Sequence, residues 1–431
     1  MEKFSNFGWE TDANHGSFVD RYPSVEKNIN TDWLIIGGGL TGFSAVNQLH
    51  KYNINERITL LDAGRIGQGS SSRNSGFLVD STLNNGATSI SDLKLYKKKY
   101  ALNLAGMSEL KAIVDEFDIQ CDWSQSGKYH AASNKKEFYK LYDFSNLLSS
   151  AGIEFNEYNQ GELFKLLGTK FYNYAIKTKG GVLLNPKKLI YGFIERVSKK
   201  KINIYENTNI IKIVNGNIPF VITSDGFKVN AKKIIIAVNS ELPNLNIKKR
   251  FSFPLILTSS ITRRLTSNEC NLIGNPAPWG VLSVKPTGAT VRLTNDHRIM
   301  IRNTSNPYFK SLYNFDDCIK KHRDGLSKRF PEIKHVDFDN SWSGMISVSR
   351  NGNPLFGNID RKIFYGGVYN GGGLGLSALF GAAMIDSALT KNNSRLNIVE
   401  SYPEANVLPP FPKAAAFIRI KYDQLFGSNE T

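Results

Sequence analysis

Three glycines near the start of the chain have the spacing of a phosphate-binding turn. Gly37, Gly39 and Gly42 form the pattern G-x-G-x-x-G, and Asp62 follows 20 residues after Gly42. In such a turn the first glycine allows a sharp bend, the second lets the backbone approach a pyrophosphate, and the third lets helix and strand pack closely. A carboxylate at Asp62 can accept hydrogen bonds from ribose hydroxyls and would repel a 2′-phosphate. These residues predict a dinucleotide site that disfavours NADP.

The elements around the glycines have the pattern of a β-α-β unit. Residues 32–36 (DWLII) are an apolar run that ends at Gly37, and apolar residues then recur at helical spacing from Leu40 to Leu49. Residues 57–62 (RITLLD) form a second apolar run. This order places the N-terminus of the helix, with its unpaired N–H groups and positive dipole end, at the phosphates. The unit predicts a Rossmann-like domain.

Further along the chain the sequence predicts more α/β structure and a second, β-rich part. A helix is expected to begin at Pro186, followed by three short strands separated by the turns Asn215-Gly216 and Asp225-Gly226. Residues 250–304 are typical of long strands. The 23 residues from Ile363 to Ile385 carry no charge but contain seven glycines, which favours a strand, a glycine turn and a buried helix over a membrane span.

A polar, glycine-rich stretch follows Asp62 directly. Residues 63–77 (AGRIGQGSSSRNSGF) contain Arg65, Arg73 and four serines. Small residues allow a flat ring to approach closely, and hydroxyls and arginines can bind phosphate or carbonyl oxygens. This stretch predicts contact with the cofactor.

With this stretch the sequence resembles the D-amino-acid oxidase superfamily of FAD enzymes. The resemblance is greatest to the branch containing glycine oxidase, sarcosine oxidase and gamma-glutamylputrescine oxidase. DWLIIGGGLTG and LLDAGRIGQGSSSRNSG match the first motifs, and SWSGMIS, NPLFG and YNGGGLG match segments near the other end of the chain. The resemblance implies an α/β fold, in which a Rossmann-like FAD-binding domain of the glutathione-reductase type is interleaved with an α+β substrate domain built on an antiparallel sheet. We expect the FAD-binding domain to comprise 1–95, 171–240 and 342–431, and the substrate-binding domain to comprise 96–170 and 241–341.

The resemblance implies non-covalent FAD and oxidation of a C–N bond in a small amine or amino acid. Hydride passes to the flavin, and the imine formed is hydrolysed. The expected cofactor-binding residues are Gly37, Gly39, Leu40, Thr41, Gly42, Asp62, Ala63, Gly69, Ser70, Ser71, Ser72, Arg73, Asn74, Gly76, Ile210, Asn370, Gly371, Gly372, Gly373 and Leu374. The electron acceptor, O2 or a quinone, stays open.

The sequence departs from the family pattern at three positions. Gly372 stands where the family has histidine, and Gly344 where members with covalent flavin have cysteine. Ile346 stands where glycine oxidase relatives have an arginine that binds the substrate carboxylate. The arginines that could replace it are Arg292, Arg298, Arg302 and Arg350.

No catalytic base is evident, and the histidines show no metal-ligand spacing, so no metal is expected. Arg73 is the candidate for a positive charge near the flavin, and Tyr129 and Tyr369 are candidates on the substrate side. Two alternative functions stay open. One is a tRNA-modifying flavoprotein that oxidises an aminomethyl group on a modified base, and the other is a flavin-binding protein without turnover.

Composition limits the partners. The net charge is +16, but the basic residues are scattered along the chain, which favours a solvated surface over a nucleic-acid site. Peripheral membrane contact stays open. The three cysteines form no CxxC pair, and no secretory signal precedes the first strand, so a reducing cytoplasm is expected.

Overall fold

The computed structural model describes Trp9, residues 22–81, Leu83, and residues 90–285, 288–307 and 313–426. Its strands are β1 Ile29–Ile36, β2 Ile58–Leu61, β3 Phe77–Leu78, β4 Lys128–Ala132, β5 Phe155–Asn159, β6 Tyr174–Thr178, β7 Val182–Leu183, β8 Asn203–Tyr205, β9 Ile210–Val214, β10 Phe220–Thr223, β11 Lys228–Ile236, β12 Phe253–Thr262, β13 Trp279–Ser283, β14 Thr290–Leu293, β15 Ile299–Pro307, β16 Phe338–Val348, β17 Leu355–Ile359 and β18 Ile363–Gly367. Its α-helices are α1 Leu40–Lys51, α2 Ser70–Arg73, α3 Leu93–Glu116, α4 Phe138–Ala151, α5 Gln160–Leu167, α6 Pro186–Ser198, α7 Ser267–Leu272, α8 Phe315–Arg329, α9 Gly373–Ala388, α10 Ser394–Glu400 and α11 Pro412–Phe426.

The first sheet has the strand order β17-β18-β11-β1-β2-β8. Strand β10 also pairs with β11, and β9 pairs with the other edge of β10. The five strands from β18 to β8 are parallel. Parallel strands are covered on both faces, and accordingly Leu34, Ile35 and Ile36 of β1 are buried. The helices α1, α6 and α9 pack into the core on β1 and β2. This architecture confirms the predicted Rossmann-like part.

The second sheet has the order β16-β12-β15-β14-β13-β4-β6-β5. It is antiparallel except for the parallel pair of β13 with β4. The helices α5 and α8 pack on one face of it around Val281, Val291 and Ile301. The sheet confirms the expected antiparallel second part.

The two sheets differ from the predicted domain boundaries at two strands. β6 and β16 hydrogen-bond into the second sheet, whereas the boundaries assign 174–178 and 342–348 to the FAD-binding part. β6 pairs with β4, and β16 pairs with β12, and both partners lie in the predicted substrate part. The sequence gives no local signal for this pairing. The division into two domains stays a prediction, and residues 1–8, 10–21 and 427–431 lie outside the described part of the chain.

Local signals in the sequence act as expected. Asn185 caps α6, accepting hydrogen bonds from the N–H groups of Lys187 at 3.1 Å and Lys188 at 3.2 Å. The uncharged stretch from Ile363 forms β18, a glycine turn and α9. Within the described residues, no helix has both the length and the apolar character needed to cross a membrane.

Candidate functional site

The first glycine turn joins β1 tightly to α1. Gly37 has φ of +106°, and a Cβ there would lie 2.6 Å from the carbonyl oxygen of Ala237. A Cβ on Gly42 would lie 1.9 Å from the carbonyl oxygen of Gly37. The turn therefore needs glycine for its conformation at one position and for helix–strand contact at the other. As a result, the N-terminus of α1 lies directly at the end of β1.

Asp62, at the end of β2, holds this turn. One carboxylate oxygen accepts from the N–H of Gly38 at 2.7 Å, and the other accepts from the N–H of Gly64 at 2.8 Å. Burial raises the pKa of Asp62, against the effect of these two hydrogen bonds. Each oxygen keeps a lone pair, so the carboxylate can still accept from ribose hydroxyls. Ala63 beside it is exposed.

Three further residues border this end of the sheet. The N–H of Thr208 donates to the carbonyl oxygen of Asp62 at 2.8 Å, and Ile210 is buried in the cluster that includes Leu61. Glu206 accepts from the N–H of Ile66 at 2.8 Å and adds negative charge near Asp62. Sequence reasoning missed Glu206, since it lies 140 residues from its partner and has no motif around it.

The stretch from Gly69 to Gly76, which we call the bend, is held by its own polar groups. Ser72 donates to the carbonyl oxygen of Gly67 at 2.5 Å, and Nε of Arg73 donates to that of Gln68 at 2.7 Å. Asn74 accepts from the N–H of Gly76 at 2.9 Å. The bend also reaches the first glycine turn, because the Ser71 hydroxyl accepts from the N–H of Leu40 at 3.0 Å.

Arg292 on β14 fixes the end of the bend. Its guanidinium donates to the carbonyl oxygens of Ser75 at 3.0 Å and Leu184 at 2.8 Å. A Cβ on Gly76 would lie 2.1 Å from that Leu184 oxygen. The sequence indicates Arg292 only as a candidate for the substrate carboxylate, because a contact spanning more than 200 positions leaves no local signal.

Strand β16 connects the bend with the second glycine turn, residues 371–373. Ser70 donates to the carbonyl oxygen of Met345 at 2.8 Å, and the indole N–H of Trp342 donates to that of Arg73 at 2.8 Å. Two residues beyond Met345, the carbonyl oxygen of Ser347 accepts from the N–H of Asn370 at 3.1 Å. The two cofactor-binding regions predicted from opposite ends of the chain therefore lie together.

The second glycine turn brings the N-terminus of α9 to this place. Gly371 has φ of +89° and open space where a Cβ would lie. Gly372 precedes the helix, which begins at Gly373 and is buried from Leu374. Neither α1 nor α9, both fully described, carries an acid in its first turn. Two helix N-termini with close backbone access are suited to an anionic, flat cofactor such as FAD.

The two tyrosine candidates are both buried, at different places in the fold. Tyr369 is buried between α1 and α9, and its hydroxyl is 3.0 Å from that of Thr41. Burial raises its pKa. Tyr129 packs against Tyr158 on the α5 and α8 side of the second sheet, away from the bend, and burial raises its pKa to about 12. The substrate-side role expected for Tyr129 and Tyr369 stays a prediction.

Known proteins match the chain over most of its length. It is 24% identical to gamma-glutamylputrescine oxidoreductase from Escherichia coli, over 91% of this chain and 90% of the relative. The fold is similar to that of glycine oxidase from Geobacillus kaustophilus, with a TM-score of 0.70, 18% identity, and coverage of 85% of this chain and 96% of the other. L-proline dehydrogenase from P. horikoshii matches with a TM-score of 0.70, 17% identity, and coverage of 87% and 97%.

The family comparison agrees with the site geometry. The FAD dependent oxidoreductase (DAO) family matches residues 32–387, a range that contains the first glycine turn, the bend and the second glycine turn. The chain therefore belongs to the DAO family of FAD-dependent oxidoreductases, and its cofactor is FAD.

Proposed function

We propose that the protein oxidises a C–N bond of a small amine or amino acid, using FAD held by the two glycine turns and the bend. The observation that carries the proposal is the pairing of both regions with β16, through Met345 and Ser347. The names of the similar proteins, gamma-glutamylputrescine oxidoreductase, glycine oxidase and L-proline dehydrogenase, all specify amine or amino-acid substrates. The family membership supports the redox chemistry, and these names support the substrate class.

The proposed cofactor contacts are the residues expected from the sequence in the glycine turns, the bend and the Asp62–Ala63 corner, with Ile210 beside them. Gly344 supports a dissociable cofactor, because it stands where a covalently flavinylated relative has cysteine, and no cysteine follows Trp342. A Cβ on Gly344 would lie 3.3 Å from Cβ of Arg73, so the strand approaches the bend closely there.

The chain contributes binding and electrostatics to the reaction. FAD held by these residues would supply a two-electron acceptor for the hydride on the carbon next to the substrate nitrogen; with loss of a proton from that nitrogen the substrate would become an imine, which water would hydrolyse to a carbonyl compound and a released amine or ammonia. The N-terminal amides of α9 stabilise negative charge near them. The guanidinium of Arg73 donates to the carbonyl oxygens of Gln68 at 2.7 Å and Ser343 at 3.3 Å, so its charge is held between the bend and β16.

The test is anaerobic reduction of the purified, FAD-loaded protein by a panel of amines, polyamines, N-methyl amino acids and D-amino acids. We expect loss of flavin absorbance with one of these classes and release of FAD on acid denaturation. A matched sample of free FAD with each amine controls for direct reaction. Protein that neither carries nor binds FAD contradicts the proposal, as does a flavin that no amine reduces. Reduction only by a tRNA with an aminomethylated base would favour the tRNA-modifying alternative.

A further inference from the structure

Trp9 reaches the bend from the N-terminal side of the first strand. Its indole N–H donates to the carbonyl oxygen of Asn74 at 2.9 Å. The carbonyl groups on either side of that one in the chain are bound as well, by the indole of Trp342 at 2.8 Å and by the guanidinium of Arg292 at 3.0 Å. Three successive carbonyl groups of the bend are therefore each held by a side chain from outside it.

The three donor side chains also pack on one another, with Trp9 in the middle. The ring centroids of Trp9 and Trp342 are 5.8 Å apart, and Cζ of Arg292 lies 5.1 Å from the centroid of the Trp9 ring. Ile261 and Met300 complete the buried cluster around the two indoles. Trp9 itself is only 4% exposed. Loss of Trp9 would remove one hydrogen bond to the bend and a packing surface that the other two donors share.

Trp9 differs from the other two donors in its place in the chain. Trp342 lies on β16 and Arg292 on β14, so backbone pairing within the second sheet fixes both. Trp9 precedes β1, and it also precedes residue 32, where the match to the family begins. Its contact with Asn74 spans 65 positions of sequence. A residue outside the shared domain therefore takes part in holding the bend.

The bond from Trp9 fixes the orientation of the peptide group between Asn74 and Ser75. This peptide is trans, so its carbonyl and its N–H point in opposite directions. The Asn74 carbonyl points to Trp9, and the N–H of Ser75 therefore points away from Trp9. Within the part of the chain that the structure describes, that N–H has no hydrogen-bond acceptor. A backbone donor held in this way is ready for an acceptor that arrives with a ligand.

We propose that Trp9 is a positioning residue for FAD, because its indole orients the Asn74–Ser75 peptide so that the N–H of Ser75 donates to the flavin half of the cofactor. This rests on the proposed function, in which the bend binds FAD. A donor that is already oriented loses little conformational entropy when the cofactor binds, so its hydrogen bond contributes to affinity. Without Trp9 the peptide would have to be ordered by the cofactor itself.

Titration of the apoprotein with FAD and with ADP separates this role from a general loss of structure. ADP tests the first glycine turn and Asp62, whereas FAD also tests the bend. We expect Trp9→Phe, which keeps an aromatic ring but loses the donor, to bind FAD about three- to tenfold more weakly and to bind ADP as the wild type does. Trp9→Leu also loses the contact with the guanidinium of Arg292, and its affinity for FAD should fall about tenfold or more.

Trp33→Phe is the matched control for the loss of an indole donor. The Trp33 indole is buried on β1 and donates to the Glu56 carboxylate at 2.5 Å, away from the bend, so this variant should bind FAD as the wild type does. Unchanged FAD affinity in Trp9→Phe overturns the proposal. An equal loss of affinity for FAD and for ADP also overturns it, because that result indicates a purely structural role.

The same titrations keep this proposal distinct from the proposed function. If Trp9→Leu does not fold, Trp9→Phe decides, since its ring preserves the packing. Neither titration involves an amine, so selective loss of FAD affinity in Trp9→Phe supports the role of Trp9 even where no amine reduces the flavin. Amine oxidation together with unchanged FAD affinity in Trp9→Phe overturns the role of Trp9 alone.

Discussion

Replacing Gly42 by alanine tests whether helix–strand contact or helix propensity determines the stability of the first glycine turn. Gly42 lies inside α1, where a change to alanine would ordinarily stabilise the helix by about 1 kcal/mol. The new Cβ, however, would lie 1.9 Å from the carbonyl oxygen of Gly37, far below the 3.0 Å that real Cβ atoms respect. Contact therefore opposes propensity at this position.

Neither side of this contact can move freely. The N–H of Gly37 is bonded to the carbonyl oxygen of Leu61 at 2.8 Å. On its other side α1 packs closely on α9, where a Cβ on Gly381 would lie 2.2 Å from the carbonyl oxygen of Thr41. Overpacking of this kind lowers the free energy of unfolding by about 1–3 kcal/mol. Because the contact here is with backbone, we expect a loss near the upper end of that range. Net loss of about 2 kcal/mol predicts a fall in Tm of about 2 °C for a chain of this size that unfolds as one unit.

The assay compares Gly42→Ala with Gly161→Ala by thermal unfolding of the apoprotein and by FAD titration. Gly161 is a helical glycine near the start of α5, where a Cβ would be in ordinary contact at 3.4 Å from the side-chain oxygen of Asn159. Gly161→Ala should therefore be neutral or stabilising. We expect Gly42→Ala alone to lose stability and to bind FAD at least about tenfold more weakly, because the α1 amides are displaced. Equal Tm and equal FAD affinity in the two variants would refute the reasoning.

Three other substitutions probe buried polar groups. Burial lowers the pKa of His130 from 6.5 to about 3, so below pH 6.5 the unfolded chain binds more protons than the folded one. The free energy of unfolding therefore falls as the pH drops, by about 2 kcal/mol at pH 5. His130→Leu should remove that part of the acid sensitivity, as measured by urea unfolding. Lys128 forms a buried ion pair with Asp80, and Lys128→Met should cost about 3–5 kcal/mol, much of it recovered when Asp80→Leu is added. Trp342→Phe removes the bond to the bend and should weaken FAD binding about tenfold in a fluorescence titration.

Each of these predictions has a control and a contrary outcome. His297 is exposed, so His297→Asn should keep the acid sensitivity, and the same behaviour in His130→Leu would contradict the pKa argument. If the Lys128 and Asp80 double variant is no more stable than the single one, the ion pair is not the source of the loss. Trp279 is buried, and its indole N–H has no hydrogen-bond partner among the residues that the structure describes, so Trp279→Phe should leave FAD affinity intact. Equal losses in both tryptophan variants would argue against the bend contact.

Sequence patterns predicted those elements whose formation depends on neighbouring residues. The β-α-β unit followed from apolar periodicity and glycine spacing, and the start of α6 followed from Asn185 and Pro186. The face of a fully buried strand has no such signal: all five residues of β4 are buried, so alternation could not show that Tyr129 points away from the bend. Arg302 lies where the register of β15 shifts against β12 between Thr258 and Ser260. A register shift of this kind depends on pairing between distant strands.

The order of strands in the first sheet has a consequence for how the polypeptide acquires its shape. Its central strand, β1, is hydrogen-bonded to β11, some 200 residues later, and β11 in turn is bonded to β18 near the other end. The FAD-binding sheet therefore cannot close until the ribosome has released almost the whole chain. Contacts so distant in sequence form slowly, which makes a newly made, half-assembled sheet a natural target for chaperones.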